Sequence, residues 1–519
     1  MLHVKNTLKT VGFMMSATLL AKFAGMLREV LFASLYGTGG QATAFLTASR
    51  IPLLFFDITL GSAISSSFIP VFNEYLEKGE KDGAMRYANS FVNLMVLITG
   101  IICAIGILFS RPITGLIGSG LGTAEKDLAA QLVIILFPTM IFTALAYALT
   151  GILQSLGEFN VPAAISLVSN GLMVLYLITI RDRLGIHGVA VAMLLAWGFQ
   201  VLVQLPSLQK KQFRYRLILD LKSEGIKRTV LLAVPILISS WVQPINSMVN
   251  IYLASFLNEG QAVAALDYAN KLYIIFVGVL TYAISNLIFP SISRLAAGDK
   301  KDELSKVIGK AAKTVLAIIL PVMVLFFILR TPIVRFVYER GEFNAESTAL
   351  TASALLFYSL GMAGFGISEI LNKAFYSLKD GKTPMVVAVF GITLNIVLSF
   401  FFVKGIGSGL WGVALAASIA SNVIACLLLF LLNKRLRILS WRDLINTVKL
   451  LAAILCMAAL VYGITTLLPQ GSSFIEKTSL LVLPACGGIL VYILLLFLFK
   501  TDEANSIKHI IKQKTKKVN

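Results

Sequence analysis

The sequence predicts an all-α, polytopic membrane protein: about 14 transmembrane helices, arranged as two parallel-repeat six-helix lobes plus two extra C-terminal helices. Three observations predict it. The 519 residues are 57% hydrophobic and only 14% charged, with mean hydropathy +0.85, whereas soluble domains run about 45–50% apolar and about 25% charged. Apolar runs long enough to cross a bilayer, about 20 residues each, recur along the whole chain. The chain also matches itself at an offset of about 220 residues. A soluble enzyme, a secreted scaffold and a disordered chain are excluded by the first observation alone.

Apolar runs, set against charged or Gly/Pro breaks, place the helices in order at roughly 9–36, 42–72, 87–110, 128–152, 160–180 and 187–205 in the first half. They continue at roughly 228–256, 262–291, 311–329, 347–374, 384–403 and 409–432, then 444–467 and 478–499. Runs this long call for tilt, kinks or protrusion beyond the bilayer. Pro244 and Pro321, inside the seventh and ninth runs, predict kinks. The first run is too long for a signal-peptide core and carries charges, so no cleavable leader is expected.

With the N-terminus inside, the inner segments hold about 30 Lys and Arg and the outer loops about 9, which fixes both termini in the cytoplasm. Lys210, Lys211, Arg214, Arg216, Lys222, Lys227 and Arg228 share one inner loop; Lys434, Arg435 and Arg437 lie in another; Lys512, Lys514, Lys516 and Lys517 are in the tail. The net charge of +19 is therefore topology plus attraction to anionic membrane lipids, and no nucleic acid is needed to explain it. Cys103, Cys426, Cys456 and Cys486 lie inside apolar runs without metal spacing, and read as small buried residues rather than disulfides.

The repeat is collinear. Ala33-Ser34 matches Ala254-Ser255 and Arg50 matches Lys271, while Ala63-Ile64-Ser65 with Pro70 matches Ala283-Ile284-Ser285 with Pro290. Ser155-Leu156 and Pro162 match Ser377-Leu378 and Pro384, and Gly188-Val189-Ala190 matches Gly412-Val413-Ala414. Six helices return the chain to its starting side, so the lobes share one orientation and alternating access is the default mechanism. The expected organisation is an N-terminal lobe at 1–208, a basic linker at 209–227, a C-terminal lobe at 228–433, helices 13 and 14 within 434–499, and a basic tail at 500–519.

Outside the loops, Lys313 and Lys449 lie near inner helix ends and can snorkel. Lys22, Arg28, Arg50 and Lys271 cannot. Arg28, Arg50 and Lys271 each sit about eight or nine residues from an outer helix end, ~12–14 Å deep, and Lys22 is deeper. Each charge facing lipid would cost at least ~2.5–3.5 kcal/mol. They must therefore face water, partners, or both. Asp267 and Lys271 are i,i+4 and can pair. Lys22 with Glu29 and Arg50 with Asp57 share faces two turns apart, whereas adjacent Arg28 and Glu29 point about 100° apart and cannot satisfy each other fully. Interhelical salt bridges would account for these groups, but a cationic cavity for an anionic substrate accounts for more, because the Arg fork binds phosphate oxygens bidentately.

Gly361, Gly364 and Gly366 predict close helix packing rather than a phosphate loop. Glu369 reads as an interfacial solvated acid, and His3, His187 and His509 fall in loops or tails. No metal, nucleotide or nucleophile motif is present, so neither an enzyme nor a cofactor is predicted.

The stretch Ala21-Lys22-Phe23-Ala24-Gly25-Met26-Leu27-Arg28-Glu29 resembles the helix-1 pattern of the MurJ (MviN) lipid II flippases. So do Phe68-Ile69-Pro70-Val71-Phe72-Asn73-Glu74-Tyr75, Asp267-Tyr268-Ala269-Asn270-Lys271-Leu272, Glu339-Arg340-Gly341-Glu342-Phe343, and Phe375-Tyr376-Ser377-Leu378-Lys379-Asp380 with Lys382-Thr383-Pro384. The resemblance lies within the multidrug/oligosaccharidyl-lipid/polysaccharide exporter superfamily. It implies a flippase carrying the undecaprenyl-diphosphate-linked peptidoglycan precursor to the outer leaflet of the bacterial cell membrane, in contact with the cell-wall synthesis machinery. It further implies that helices 13 and 14 form a groove for the polyprenyl tail, and that Arg28 is the essential helix-1 Arg. Lys22 and Lys271 stand where many members have Arg, Phe56 where many have Arg, and Thr43 where many have Asp. Acids proposed as sodium ligands in some members fall on Asn250 and Ser399, beside Asn395, leaving the membrane potential or a monovalent cation as the driving force. A flippase for another polyprenyl-diphosphate-linked glycan is the nearest alternative; a cation-coupled drug antiporter would favour buried acids over buried bases.

Overall fold

Helices follow one another without a strand among the described residues of a computed structural model, which are 2–59, 67–181, 183–298, 300–438, 441–468, 471 and 473–504. The expected tail lysines, His509 and the Ala63-Ile64-Ser65 segment lie outside them. The first half comprises α1 (Leu2–Tyr36), α2 (Gly40–Thr59), α3 (Ile69–Glu77), α4 (Lys81–Leu108), α5 (Ser110–Ile117), α6 (Thr123–Leu136), α7 (Thr139–Ser155), α8 (Asn160–Thr179), α9 (Gly185–Leu202) and α10 (Leu205–Lys210). Then come α11 (Glu224–Ser240), α12 (Val242–Ser255), α13 (Gln261–Ala297), α14 (Lys301–Ile328), α15 (Arg330–Val337), α16 (Ala345–Ser359), α17 (Met362–Ser377), α18 (Lys382–Phe400), α19 (Leu410–Leu436), α20 (Trp441–Leu467) and α21 (Phe474–Leu498).

Among the described residues ten helices are long and apolar enough to cross a membrane, eleven if the pair α16–α17, bent by 45°, is one span. Helices α1 and α2 and the pair α11–α12 occupy the other three expected positions. Two breaks lie beside prolines, which lack a backbone donor. Pro138 separates α6 from α7, and Pro244 follows the interruption at Trp241. Pro321 instead sits inside an unbroken α14. Two short helices, α5 and α15, were not among the expected spans. They begin 220 residues apart, each with Pro as third residue, and carry the repeat into the structure.

The chain divides into two compact units, residues 1–264 with 340–343, and residues 265–339 with 344–519. In the first, α1 lies along α8, α2 against α6, and α4 against α7. Its core holds an aromatic stack in which Phe68 lies 4.4 Å from Phe91 and 5.4 Å from both Phe72 and Tyr87. The basic linker is pinned along α4 by its backbone. Asn89 donates to Arg214 O and accepts from Arg216 N, Asn93 donates to Arg216 O and Ile218 O, and Ser90 Oγ accepts from Asp220 N. Helices α11 and α12 also belong to this unit, so the packing boundary falls later in the chain than the linker.

In the second unit the predicted close packing is met at all three glycines. A Cβ on Gly361 would lie 2.8 Å from Ser418 Oγ, one on Gly364 2.6 Å from the backbone N of Asn422, and one on Gly366 2.2 Å from Ile319. This draws α17 onto α19 and α14. Helices α20 and α21 pack on each other, and Tyr492 donates to Ala317 O at 2.7 Å, fastening α21 to α14. Glu339 gathers Arg335 (3.2 Å), Lys477 (3.1 Å) and the Thr348 hydroxyl (2.9 Å). Their hydrogen bonds outweigh burial and hold its carboxyl below the usual range.

Three expectations need correcting. Only Cys103 is buried; Cys426, Cys456 and Cys486 are free and exposed, because in a membrane chain an apolar helix face can meet lipid as readily as protein. His187 lies in the first turn of α9, bonded to Gln131 at 3.0 Å, rather than in a loop. Glu369 is mostly buried at 21% side-chain exposure and faces Lys373 at 3.9 Å, one turn away on the same helix.

Two outcomes follow. Gly364→Ala should lower thermal stability in detergent by about 1–3 kcal/mol, because the neighbouring atom is backbone and cannot swing aside; Gly171→Ala, with nothing within 4 Å, should not. Asp380 accepts from Thr383 N at 3.0 Å and Thr383 Oγ1 at 2.7 Å and pairs with Arg435 at 2.7 Å, which brings its pKa from 3.8 to about 2. A depressed carboxyl stabilises the fold above its unfolded value and loses that contribution as pH falls through its folded one. The melting-temperature gap between the wild type and Asp380→Asn should therefore be full above pH 3.8 and close toward about pH 2.

Candidate anion-binding site

Helix α1 carries Lys22, Arg28 and Glu29, and α8 crosses it where Gly25 leaves room: a Cβ there would be 3.4 Å from the Asn170 amide nitrogen. Asn170 Nδ2 donates to Ala21 O at 3.2 Å, which turns its carbonyl toward Arg28; Arg28 Nη1 donates to Asn170 Oδ1 at 3.0 Å. Arg28 Nη2 meets Glu29 Oε1 at 2.5 Å. The long Arg stem curls across the roughly 100° stagger of the Cβ directions to reach this neighbour, and the pair is incomplete: Arg28 gives its other bond to Asn170. Two of the five guanidinium N–H groups are engaged, and the others make no hydrogen bond among the described residues. Asn170 is a site residue the sequence reading missed. Its contact spans 142 positions, and no local pattern marks it.

Lys22 is exposed on α1. On α2, Arg50 is half-buried and acts electrostatically on Asp57, which also faces Tyr147. Thr43, standing where an Asp is common in the resembling family, is buried and donates to Gly260 O at 3.2 Å. Phe56 is buried against Tyr147, ring centroids 5.9 Å apart. On α12, the buried Asn250 Oδ1 has no hydrogen-bond partner among the described residues.

In the second unit, Lys271 Nζ on α13 pairs with Asp267 Oδ2 at 2.5 Å, at the i,i+4 spacing. The next turns are closely packed: Tyr268 is fully buried 5.2 Å from the Tyr338 ring, and Tyr273 packs on Tyr358 and Phe365. Further along α13, the hydroxyls of Thr281 and Ser285 are buried without a partner among the described residues. On α18, Ser399 donates to Asn395 Oδ1 at 3.2 Å, both buried. No group of three or more His, Cys, Asp or Glu that could hold a metal occurs among the described residues.

The two tight pairs share an asymmetry. Arg28 is 24% exposed and Glu29 10%; Lys271 is 24% exposed and Asp267 9%. The carboxylate sits behind and the cation in front, so each pair presents its positive end. That arrangement can receive an anion with fixed donors already aimed.

Fold and charges together define a multi-pass membrane transporter built from a six-helix repeat. The family model for lipid II flippase MurJ matches residues 32–481, and the chain belongs to that family. A relative from Rhizobium tropici, named a probable lipid II flippase MurJ, is 28% identical, with 97% of this chain and 96% of that protein aligned. A solved structure of a lipid II flippase MurJ in an inward closed conformation superposes with TM-score 0.78 at 25% identity, covering 94% of this chain and 98% of that one. An inward-facing multidrug transporter of the MATE family shares the fold alone, with TM-score 0.67 at 17% identity over 82% of this chain and 98% of its own.

Asn170→Ala should leave folding intact and lower transport roughly tenfold, the weight of a hydrogen bond to a charged group, ~1.5–3 kcal/mol. Complementation of a strain depleted of its own flippase, read alongside gel-filtration behaviour, measures both.

Proposed function

We propose that this protein carries lipid II, the undecaprenyl-diphosphate-linked peptidoglycan precursor, from the inner to the outer leaflet of a bacterial plasma membrane by alternating access. Membership of the flippase family over residues 32–481 is the observation that carries this reading. The outward-presented cations support it, since the headgroup is a diphosphate. Arg28, Arg50, Lys271 and Lys22 neutralise that diphosphate, with Glu29, Asp57 and Asp267 holding them in place while the site is empty. The family match favours lipid II over another polyprenyl-linked glycan, and the likeness to multidrug transporters speaks only for the fold.

The transporter makes and breaks no covalent bond. Its termini lie in the cytoplasm, as the Lys and Arg distribution favours. Its basic linker and tail rest on anionic lipid, and its outer face delivers product to the cell-wall synthesis machinery. Neutralisation of the diphosphate favours the closed and then the outward-open arrangement. The cycle is driven by the membrane potential or a monovalent cation; Asn250 and Ser399, the latter beside Asn395, are neutral where some members have acids, and these positions would hold such an ion only weakly.

Arg28→Ala should fold and reach the membrane yet fail to relieve accumulation of the precursor in the inner leaflet, while Arg28→Lys retains part of the activity. Transport by Arg28→Ala at the wild-type rate would contradict the assignment.

A further inference from the structure

A cavity of about 1,140 Å³ lies in the second unit between α14 and α21, bordered by Leu436, the last residue of α19, and by Arg437 and Ile438. It exceeds the ~300–1,000 Å³ of ordinary small-molecule pockets. Its two ends differ in chemistry. Lys306, Lys310 and Lys313 on α14, with Arg437, line one end together with Asp302, Asp502 and Glu503. Ile318, Leu325, Ile489 and Ile493 line the other. Lys306, Lys310 and Arg437 make no ion pair among the described residues, and both lysines are exposed. Glu503 is fixed by the Asn446 amide, which lies 3.1 Å from each carboxylate oxygen. Tyr492 closes the back of the groove through its bond to Ala317 O.

We infer that this groove holds one glycerophospholipid whose headgroup joins a phosphodiester to a primary ammonium. The row Lys306, Lys310 and Lys313 follows i,i+4,i+7, so the three ammonium groups share one face of α14; with Arg437 they surround a phosphate. A purely anionic headgroup would meet the three carboxylates at the same end. A zwitterionic one places its ammonium on Asp502 and Glu503 and its phosphate on the lysines, and satisfies both signs. Length selects the same occupant. From Lys313 to Leu325 the helix rises ~18 Å, close to one leaflet's share, ~15 Å, of a ~30 Å hydrocarbon core. Acyl chains of an ordinary phospholipid fill that span, whereas an eleven-isoprene chain overruns it. The site uses none of Lys22, Arg28, Arg50 or Lys271, so it is independent of the transport reading.

The test is native mass spectrometry of the purified full chain, titrated separately with dioleoyl-phosphatidylethanolamine, dioleoyl-phosphatidylglycerol, dioleoyl-phosphatidylcholine and undecaprenyl diphosphate. The wild type should retain one phosphatidylethanolamine at least fivefold more than phosphatidylcholine or phosphatidylglycerol. Lys306→Gln with Lys310→Gln should reduce that retention at least fivefold, and Ile493→Trp, which narrows the apolar end, should reduce it independently. Stronger retention of phosphatidylglycerol or undecaprenyl diphosphate, equal retention of phosphatidylcholine, or retention unchanged in both variants would overturn the inference.

Discussion

The constraint on which the rest depends is the placement of a positive charge inside hydrocarbon. A lone Lys or Arg there is expensive, and this protein offsets the expense locally: Glu29 backs Arg28, Asp57 lies within reach of Arg50, and Asp267 backs Lys271. Each pair is close to neutral as a unit, yet in the two tight pairs the acid is the more buried member. A buried pair of this kind does little for stability. Its value lies in keeping a cation ready without stranding it in the absence of an anion. Under the proposed function, an arriving diphosphate would find N–H donors still open on the guanidinium, and its carboxylate would not have to leave.

Helix packing serves the same end. At Arg28 a small residue lets the neighbouring helix come close: Gly25 admits Asn170 to the guanidinium. The glycines of α17 play a different role, seating that helix tightly on α19 and α14 so that the second unit keeps its shape. The pinned linker along α4 and the Glu339 cluster bind charged segments to their own unit by short hydrogen bonds and ion pairs. Rigid units are what a rocking mechanism requires.

What the sequence made legible was local or periodic. The spans follow from apolar runs, and their order survives in the structure. The i,i+4 spacing of Asp267 and Lys271 is a property of one helix and is found as a 2.5 Å pair. The glycine triplet marked close packing because only a missing Cβ permits it. Less legible was anything set by partners distant in the chain. Asn170 lies 142 positions from Arg28 in an ordinary-looking helix, and no periodicity points to it. That Arg28 reaches Glu29 at all is not legible in sequence, because Cβ directions say little about where a long, forked side chain ends. The three exposed cysteines were misjudged because apolar surroundings in sequence do not distinguish a protein core from a lipid-facing surface. The short helices α5 and α15 fell below the length of a span, and only their matched positions reveal them as part of the repeat.

The most direct test of the central claim is equilibrium binding of a short-prenyl lipid II analogue to the purified protein, comparing the wild type with Lys271→Gln and Lys271→Arg. If the cations hold the diphosphate, Lys271→Gln weakens binding about tenfold or more, as loss of a charge-assisted contact of ~1.5–3 kcal/mol requires, and Lys271→Arg keeps or strengthens it. Equal affinity of all three proteins for the analogue would contradict the account.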